Sequence, residues 1–134
     1  FSENAVIDIR NTTIARNIVA GIRCGYGQLT LRSSTVRSSA HGVRLFGNGD
    51  TLIVNSTIAQ NGSNSDVTGG PGIELSFGGS LTVLNSTIAF NQLEGIDLSS
   101  NTSTSIDNSI VADNGTREGN DCQRSTKSRR TRSL

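Results

Sequence analysis

Short runs of alternating apolar and polar residues, each three to five residues long, occupy most of this chain. Turns rich in Gly, Asn and Ser separate these runs. The alternation has the period of two that is typical of half-buried β-strands, and no segment shows the 3.6-residue period of a helix. No apolar run approaches the roughly 18 residues of a membrane-spanning helix. The pattern therefore predicts an all-β protein built from many short strands.

One segment recurs five times along the chain with limited change. Its copies are RNTTIARN (10–17), RSSTVRSS (32–39), VNSTIAQN (54–61), LNSTIAFN (84–91) and DNSIVADN (107–114). Aligned on their central apolar residue, successive copies lie 22, 22, 30 and 23 residues apart. Self-similarity at such a period indicates a solenoid, in which each repeat buries its apolar face only by stacking on its neighbours.

Two further apolar pieces accompany the recurring segment. An alternating piece precedes it, as in Ile7-Asp8-Ile9, Leu29-Thr30-Leu31, Leu52-Ile53-Val54 and Leu81-Thr82-Val83. A piece that begins with Gly follows it, as in GIRC (21–24), GVRL (42–45), GIEL (72–75) and GIDL (95–98). Because strands of adjacent coils pair at about 4.7–4.9 Å, these pieces predict a parallel β-helix of about five coils. Each coil has three short strands, so three parallel sheets enclose a triangular core.

The alignment also predicts which side chains stack along the solenoid axis. In the Gly-led strands two columns should face inward: Ile22, Val43, Ile73 and Ile96, and Cys24, Leu45, Leu75 and Leu98. Two further columns should lie at corners: Asn11, Ser33, Asn55, Asn85 and Asn108, and Asn17, Ser39, Asn61, Asn91 and Asn114. Asn tolerates the left-handed turn conformation, and stacked amides can hydrogen-bond to one another along the axis.

These repeats resemble a known family. The stretch LTVLNSTIAFN (81–91), followed by GIDL, resembles the right-handed parallel β-helix repeats of large bacterial surface and secreted proteins. It is similar to the pectate-lyase-like superfamily and to polymorphic outer-membrane repeats, and DNSIVADN followed by Asn120-Asp121-Cys122 is similar to a last coil. The resemblance covers roughly residues 5–122. It implies the fold but no single activity, since these families include lyases, hydrolases, epimerases and adhesins.

Composition and charge divide the chain into two parts. Only 33% of residues are hydrophobic and 4% aromatic, with 15 Gly, which suits a solenoid better than a helical bundle. The last twelve residues carry five of the basic side chains and no acid, so removing them from the net charge of +1 leaves −4 on the rest. We expect residues 1–122 to form a β-helix that is part of a longer solenoid, and residues 123–134 to form a basic disordered tail. Because the folded part is acidic, we expect no nucleic-acid partner.

A charged column is the main candidate site. The middle residues of the Gly-led strands should point outward and stack in the order Arg23, Arg44, Glu74, Asp97. In β-helices of this kind the corresponding face often carries a polysaccharide groove. Glu74 and Asp97 on adjacent coils would lie about 5 Å apart, where one carboxylate can have a raised pKa and the pair can perform acid–base chemistry on a sugar. Alternatively, the column is a solvated charge ladder in which Arg44 offsets Glu74.

Two loop features adjoin this column. His41, the single histidine, precedes Gly42 near Arg44 and Glu74, and the ten-residue insert 62–71 of the longest coil leads directly into Gly72. Loops inserted on one face of a solenoid often serve binding. We therefore predict that Arg23, His41 and Asp66 bind substrate, while Glu74, Asp97 and Arg44 are the catalytic candidates. A surface turn residue and a tolerated insertion are the alternative interpretations.

No cofactor or metal site is expected, with calcium kept as an alternative. GNGDTL (47–52) resembles half of a calcium-binding nonapeptide repeat, but that chemistry needs tandem copies. Cys24 and Cys122 belong to the first and fifth coils, about 19 Å apart by coil spacing, so they should not form a disulfide with each other.

These features predict an extracellular or cell-surface bacterial scaffold, or an adhesin-like module that contacts glycans. A carbohydrate-active enzyme, either a polysaccharide lyase or a glycoside hydrolase using Glu74 and Asp97, is the first alternative, and a passive spacer is the second. The expected partners are a polysaccharide or a host glycan. Association with an outer membrane or cell wall would run through other regions of a longer protein. Exposed coils also favour end-to-end self-association.

Overall fold

The computed structural model describes residues 5–62, 69–99, 101–115 and 121–125, which form β-strands joined by turns. The first coil contains β1 (Ala5–Arg10), β2 (Thr13–Ala15) and β3 (Ile22–Cys24), and the second β4 (Gly27–Arg32), β5 (Thr35–Arg37) and β6 (Val43–Phe46). The third contains β7 (Asp50–Val54), β8 (Thr57–Ala59) and β9 (Ile73–Ser76), and the fourth β10 (Gly79–Leu84), β11 (Thr87–Ala89) and β12 (Ile96–Ser99). The fifth contains β13 (Thr102–Asp107), β14 (Ile110–Ala112) and β15 (Cys122–Ser125).

Each strand pairs in parallel with its counterpart in the neighbouring coil. The first sheet has the order β1-β4-β7-β10-β13, the second β2-β5-β8-β11-β14 and the third β3-β6-β9-β12-β15. In the second sheet Ile14, Val36, Ile58, Ile88 and Val111 are register partners, which is the alignment of the recurring segment. The prediction of a parallel solenoid with three strands per coil and five coils is confirmed.

The core is a set of stacked aliphatic columns inside the three sheets. The predicted inward columns of the third sheet are confirmed, since Val43, Ile73 and Ile96 are fully buried and Cys24 is 5% exposed. The inner side of the other sheets adds Leu29, Leu31, Val36, Ile53, Ile58, Leu81, Val83 and Ile88. Full burial of one such side chain contributes about 1.5–3 kcal/mol. Stacking like residues on like residues therefore holds successive coils together.

One strand register was predicted wrongly. The sequence predicts Leu52-Ile53-Val54 as the alternating piece of the third coil, but Leu29 pairs with Thr51 and Leu31 with Ile53. Thr51 and Ile53 are consequently buried, while Leu52 and Val54 point outward and are half-buried. The apolar content of β7 hid the true period, because a one-residue shift exchanges the two faces of a strand.

Two strands of the fifth coil were not anticipated. In β13, Thr104 pairs with Leu81 and so occupies an inward position with a polar side chain, which removes the expected alternation. In the third sheet, β15 pairs with β12 through Ser125. The predicted end of the solenoid at residue 122 thus falls inside a strand. Residues 126–134, most of the predicted tail, lie outside the described part.

The corner between the first and second sheets is built from a left-handed residue followed by a buried hydroxyl. The predicted column Asn11, Ser33, Asn55, Asn85 and Asn108 has φ values of 50°, 47°, 49°, 49° and 47°. The residue that follows each left-handed position makes the hydrogen bonds between coils. The backbone N–H of Ser34 donates to Ser56 Oγ, and the backbone N–H of Ser56 donates to Ser86 Oγ. Each hydroxyl donates to the carbonyl two residues before it, as Ser56 does to Val54. Asn thus supplies the turn and Ser links the coils, and at the last step Asn108 Nδ2 also donates to Asn85 Oδ1, as predicted for stacked amides.

At the corner between the second and third sheets the predicted amide stack is confirmed. We call the column Asn17, Ser39, Asn61, Asn91 and Asn114 the amide ladder. Asn61 Nδ2 donates to Asn91 Oδ1 at 2.9 Å, and Asn91 Nδ2 donates to Asn114 Oδ1 at 2.8 Å. The left-handed conformation belongs to the preceding residues, such as Gln60 and Phe90 at φ 56° and 57°. The ladder ends on Asp121, whose Oδ1 accepts from the backbone and side chain of Asn114.

Candidate functional site

The outward face of the third sheet carries the predicted charged column. Arg23 pairs in register with Arg44, Arg44 with Glu74, and Glu74 with Asp97. Arg23 is exposed, whereas Arg44, Glu74 and Asp97 are half-buried. The four side chains therefore lie on consecutive coils of one face, as the repeat alignment predicts. We call this set the charged ladder.

Arg44 and Glu74 form a two-point ion pair. Arg44 Nη2 donates to Glu74 Oε1 at 3.3 Å, and Arg44 Nε lies 2.8 Å from Glu74 Oε2. The Nε contact lies outside good hydrogen-bond geometry, so it acts as a charge contact while Nη2 supplies the directional bond. Ser76 Oγ also donates to Glu74 Oε1. The expected offset of Glu74 by Arg44 is confirmed, and both Glu74 oxygens are engaged.

His41 lies beside this ion pair. Its Nδ1 is 3.4 Å from Glu74 Oε2, as its predicted place near Arg44 and Glu74 requires. Burial, and then the Arg44 charge, lower the pKa of His41, while Glu74 opposes that shift. A Cβ on Gly70 would lie 2.0 Å from His41 Nδ1, so the end of the insert packs directly on the imidazole ring. His41 is therefore a neutral, packed side chain near pH 7.

Asp97 retains its proton to a higher pH than an ordinary aspartate. Burial is the main cause of its raised pKa, followed by the charges of Glu94 and Glu74. This is the shift that was expected for one carboxylate of the pair. A protonated carboxyl beside an ionised one can donate a proton to a leaving group.

An aromatic element next to the ladder was missed by the sequence analysis. The ring of Phe46 lies under both guanidinium groups of the ladder, 4.7 Å from Arg44 Cζ and 5.1 Å from Arg23 Cζ. Tyr26, which is 58% exposed, lies nearby at the third corner. A depression of about 490 Å³ extends from this face to core-side residues of the first coil, and it is lined by Arg23, Tyr26, Phe46, Ala5, Ile7, Cys24 and Gly25. The available signal was that Phe46 stands two residues after Arg44 on one strand, and so on the same face.

The other predicted features are only partly within the described structure. Asp66 and the middle of the insert lie outside it. Asp50, from the calcium-like segment, accepts a hydrogen bond from Ser80 Oγ at 2.6 Å. Among the described residues no group of three or more His, Cys, Asp or Glu side chains is placed to hold a metal ion. Cys24 is buried and Cys122 is exposed, and the two do not form a disulfide with each other.

Comparison with known proteins identifies the family. A family model described as a right-handed β-helix region matches residues 1–129. The chain belongs to the right-handed β-helix family. No curated protein and no solved structure matches it. In the described part of this β-helix chain, no helix is long and apolar enough to cross a membrane. Membership of the family establishes the architecture, and the activity must be argued from the third-sheet face.

Proposed function

We propose that this β-helix is an extracellular or cell-surface bacterial scaffold whose third-sheet face contacts glycans in an adhesin-like manner. The observation that carries the proposal is the cluster in which the guanidinium groups of Arg23 and Arg44 both lie over the ring of Phe46. The proposal includes a pectate-lyase-like relationship, as the repeat pattern suggests, without requiring catalysis.

The chemistry of this face suits a sugar that bears a carboxylate. The exposed ring of Tyr26 offers an apolar surface on which a pyranose can stack, and it borders the same depression as Arg23 and Phe46. Arg23 is exposed and, within the described residues, makes no salt bridge. Its fork of N–H donors therefore remains available to bind a uronate carboxylate at two points. Arg44 is held in place by Glu74 and presents a fixed positive charge beside it.

Binding to a panel of neutral and acidic oligosaccharides, measured by calorimetry, tests the proposal. We expect an acidic oligosaccharide to bind, and Arg23→Gln or Phe46→Ala to weaken it by about tenfold or more. Arg37→Gln is the matched control, because Arg37 is an exposed arginine on the second sheet. Failure of every oligosaccharide to bind would favour a passive spacer. An equal loss of affinity in Arg37→Gln would show that binding does not depend on the third-sheet face.

A carbohydrate-active enzyme is the second candidate, and the raised pKa of Asp97 beside Glu74 favours it. In this hypothesis Asp97 is the general acid, Glu74 the second carboxylate, and Arg44 the group that neutralises charge. The ion pair argues against the enzyme hypothesis, since Arg44 already occupies the carboxylate of Glu74. Product release from polysaccharides, measured with and without calcium, decides between the two. An enzyme releases product that is lost in Glu74→Gln and in Asp97→Asn, whereas a binding scaffold releases none.

A further inference from the structure

The outward face of the first sheet carries an ordered charge pattern that the glycan proposal does not use. One column on this face consists of Arg10, Arg32, Val54, Leu84 and Asp107, which are successive register partners. Along the solenoid axis it runs from two cations through two apolar residues to an anion. We call this column the graded column.

The neighbouring column places a further apolar side chain at the centre of the face. It consists of Asp8, Thr30, Leu52, Thr82 and Ser105. Leu52, Val54 and Leu84 are half-buried, with their remaining surface open to solvent. They form a small apolar patch on an otherwise polar sheet, at the strand whose register differed from expectation. An outward apolar centre bordered by opposite charges has the anatomy of a protein–protein contact.

We infer that this face binds a second copy of the chain, with the two solenoid axes antiparallel. The two copies are related by a two-fold axis that runs parallel to the strands, midway between the third and fourth coils. This axis places the graded column of one copy against the graded column of the other, with the coils in reverse order. Val54 then opposes Leu84 of the other copy, and Arg32 opposes Asp107. In the adjacent columns Leu52 opposes Thr82, and Asp50 opposes Ser80. The face is therefore complementary to itself, as an isologous two-fold interface must be.

The charges select this arrangement over the alternatives. Arg10 is engaged by Asp8 within its own chain. Arg32 and Asp107 make no salt bridge among the described residues, and both are exposed. A parallel pairing of the two faces would place Arg32 against Arg32 and Asp107 against Asp107, which is unfavourable. Only the antiparallel pairing brings each of them opposite its counter-charge.

The size of the face indicates a weak association. Four overlapping coils at about 4.8 Å and strands about 20 Å long cover roughly 380 Å² per copy. This flat area, roughly 760 Å² for both copies, lies below the standard range of about 1,200–2,000 Å² for stable complexes. We therefore expect a dimer that forms between micromolar and millimolar protein concentration. The closed two-fold contact also limits assembly to two copies, whereas end-to-end stacking of coils would continue to grow.

Sedimentation equilibrium of the 134-residue chain over that concentration range tests the inference. We expect monomer and dimer without larger species. Arg32→Asp and Asp107→Arg should each weaken dimerisation by about tenfold or more, because each places like charges in contact. The double variant exchanges the two charges and should restore the dissociation constant to within about threefold of the parent. Arg37→Asp, the same charge reversal on the second sheet, should leave it unchanged.

Several outcomes would overturn the inference: a monomer throughout, open-ended growth, equal weakening by Arg37→Asp, or a double variant weaker than either single variant. All three positions are exposed, and circular dichroism checks that each variant retains the parent fold. Because the face lies on the first sheet, loss of glycan binding through Arg23 or Phe46 would leave the dimer intact, so the two proposals fail separately.

Discussion

Two ladders run along this solenoid, and they follow opposite rules. The amide ladder repeats nearly the same residue in every coil and is buried, with Asn61 fully inaccessible. The charged ladder changes from Arg in the first two coils to Glu and Asp in the next two, and it lies on the outside of the third sheet. An amide carries both a donor and an acceptor, so identical amides satisfy one another when stacked. Like charges repel when they are stacked, as Arg23 on Arg44 and Glu74 on Asp97 are, and only the central step from Arg44 to Glu74 joins opposite charges.

The comparison of the two ladders indicates which positions of a repeat protein support its fold and which give a coil its own surface. Where the residue is the same in each coil, it supports the coil itself, and Asn91 is an example. Where it departs from the repeat, as Phe46 and Glu74 do, it gives one coil an individual surface. Positions that break the periodicity are therefore the ones to test for function, and positions that keep it are the ones to test for stability.

Removing one amide from the inner ladder should have the largest effect. Asn91 Oδ1 accepts from the backbone and side chain of Asn61, and its Nδ2 donates to Ile58 O and Asn114 Oδ1. Asn91→Ala leaves several buried groups unpaired at about 1–3 kcal/mol each, so we expect a loss of about 3–5 kcal/mol in urea unfolding. Asn55→Ala, at an exposed left-handed corner, should cost only about 1 kcal/mol. Equal losses would contradict the distinction between the corners.

Neutralising Glu74 on the outer ladder should have a smaller effect. Its side chain is 17% exposed and bonds to Arg44. We expect Glu74→Gln to reduce the free energy of unfolding by about 1–2 kcal/mol, as for a hydrogen bond between charged groups. The comparison pair is Asp8 and Arg10, which is exposed, so Asp8→Asn should cause no measurable change. A loss as large as that of Asn91→Ala would show that the outer ladder supports the fold as strongly as the inner one.

Asp97→Asn should have the smallest effect, with the opposite sign. Burial, then Glu94 and Glu74, raise the pKa of Asp97 above its ordinary value of 3.8. Below pH 3.8 the group is protonated in both folded and unfolded states and contributes nothing. As pH rises through the folded pKa, ionisation costs more in the folded protein. The variant should therefore be slightly more stable than the parent at pH 7 and equal to it at low pH, as thermal unfolding across this pH range can establish.

Much of the fold could be predicted from the sequence, because the five copies of the recurring segment can be aligned with one another. The alignment of five segments predicted the register of the second sheet and the inward columns around Val43 and Ile73. It failed at β7, where Leu52, Ile53 and Val54 are all apolar and the period of two is lost. It did not extend to β13, where Thr104 stands at the inward position that Leu81 holds in the preceding coil. Both exceptions occur where the polarity of a side chain does not match its position: Leu52 and Val54 are apolar and point outward, whereas Thr104 is polar and points inward.

The residues that make up the candidate site could be predicted from the sequence, but the contacts between their side chains could not. The outward stacking of Arg23, Arg44, Glu74 and Asp97 follows from strand alternation and coil spacing alone. The engagement of both Glu74 oxygens, the packing of Gly70 on His41 and the place of Phe46 beneath two arginines depend on side-chain conformations. A sequence pattern contains no information on such conformations, because residues from different coils determine them together.

The sequence by itself determined the solenoid, its three strands per coil and the stacked columns of the second and third sheets, because each repeat can bury its apolar positions only by stacking in register on its neighbours. Tertiary structure decided which column residues form ion pairs with one another and which do not. Arg44 is joined to Glu74, while Arg23, Arg32 and Asp107 make no salt bridge within the described residues. The physical reason is distance: hydrogen bonds and ion pairs act over a few ångströms, and the residues that meet along the axis are 21 to 30 positions apart in the chain.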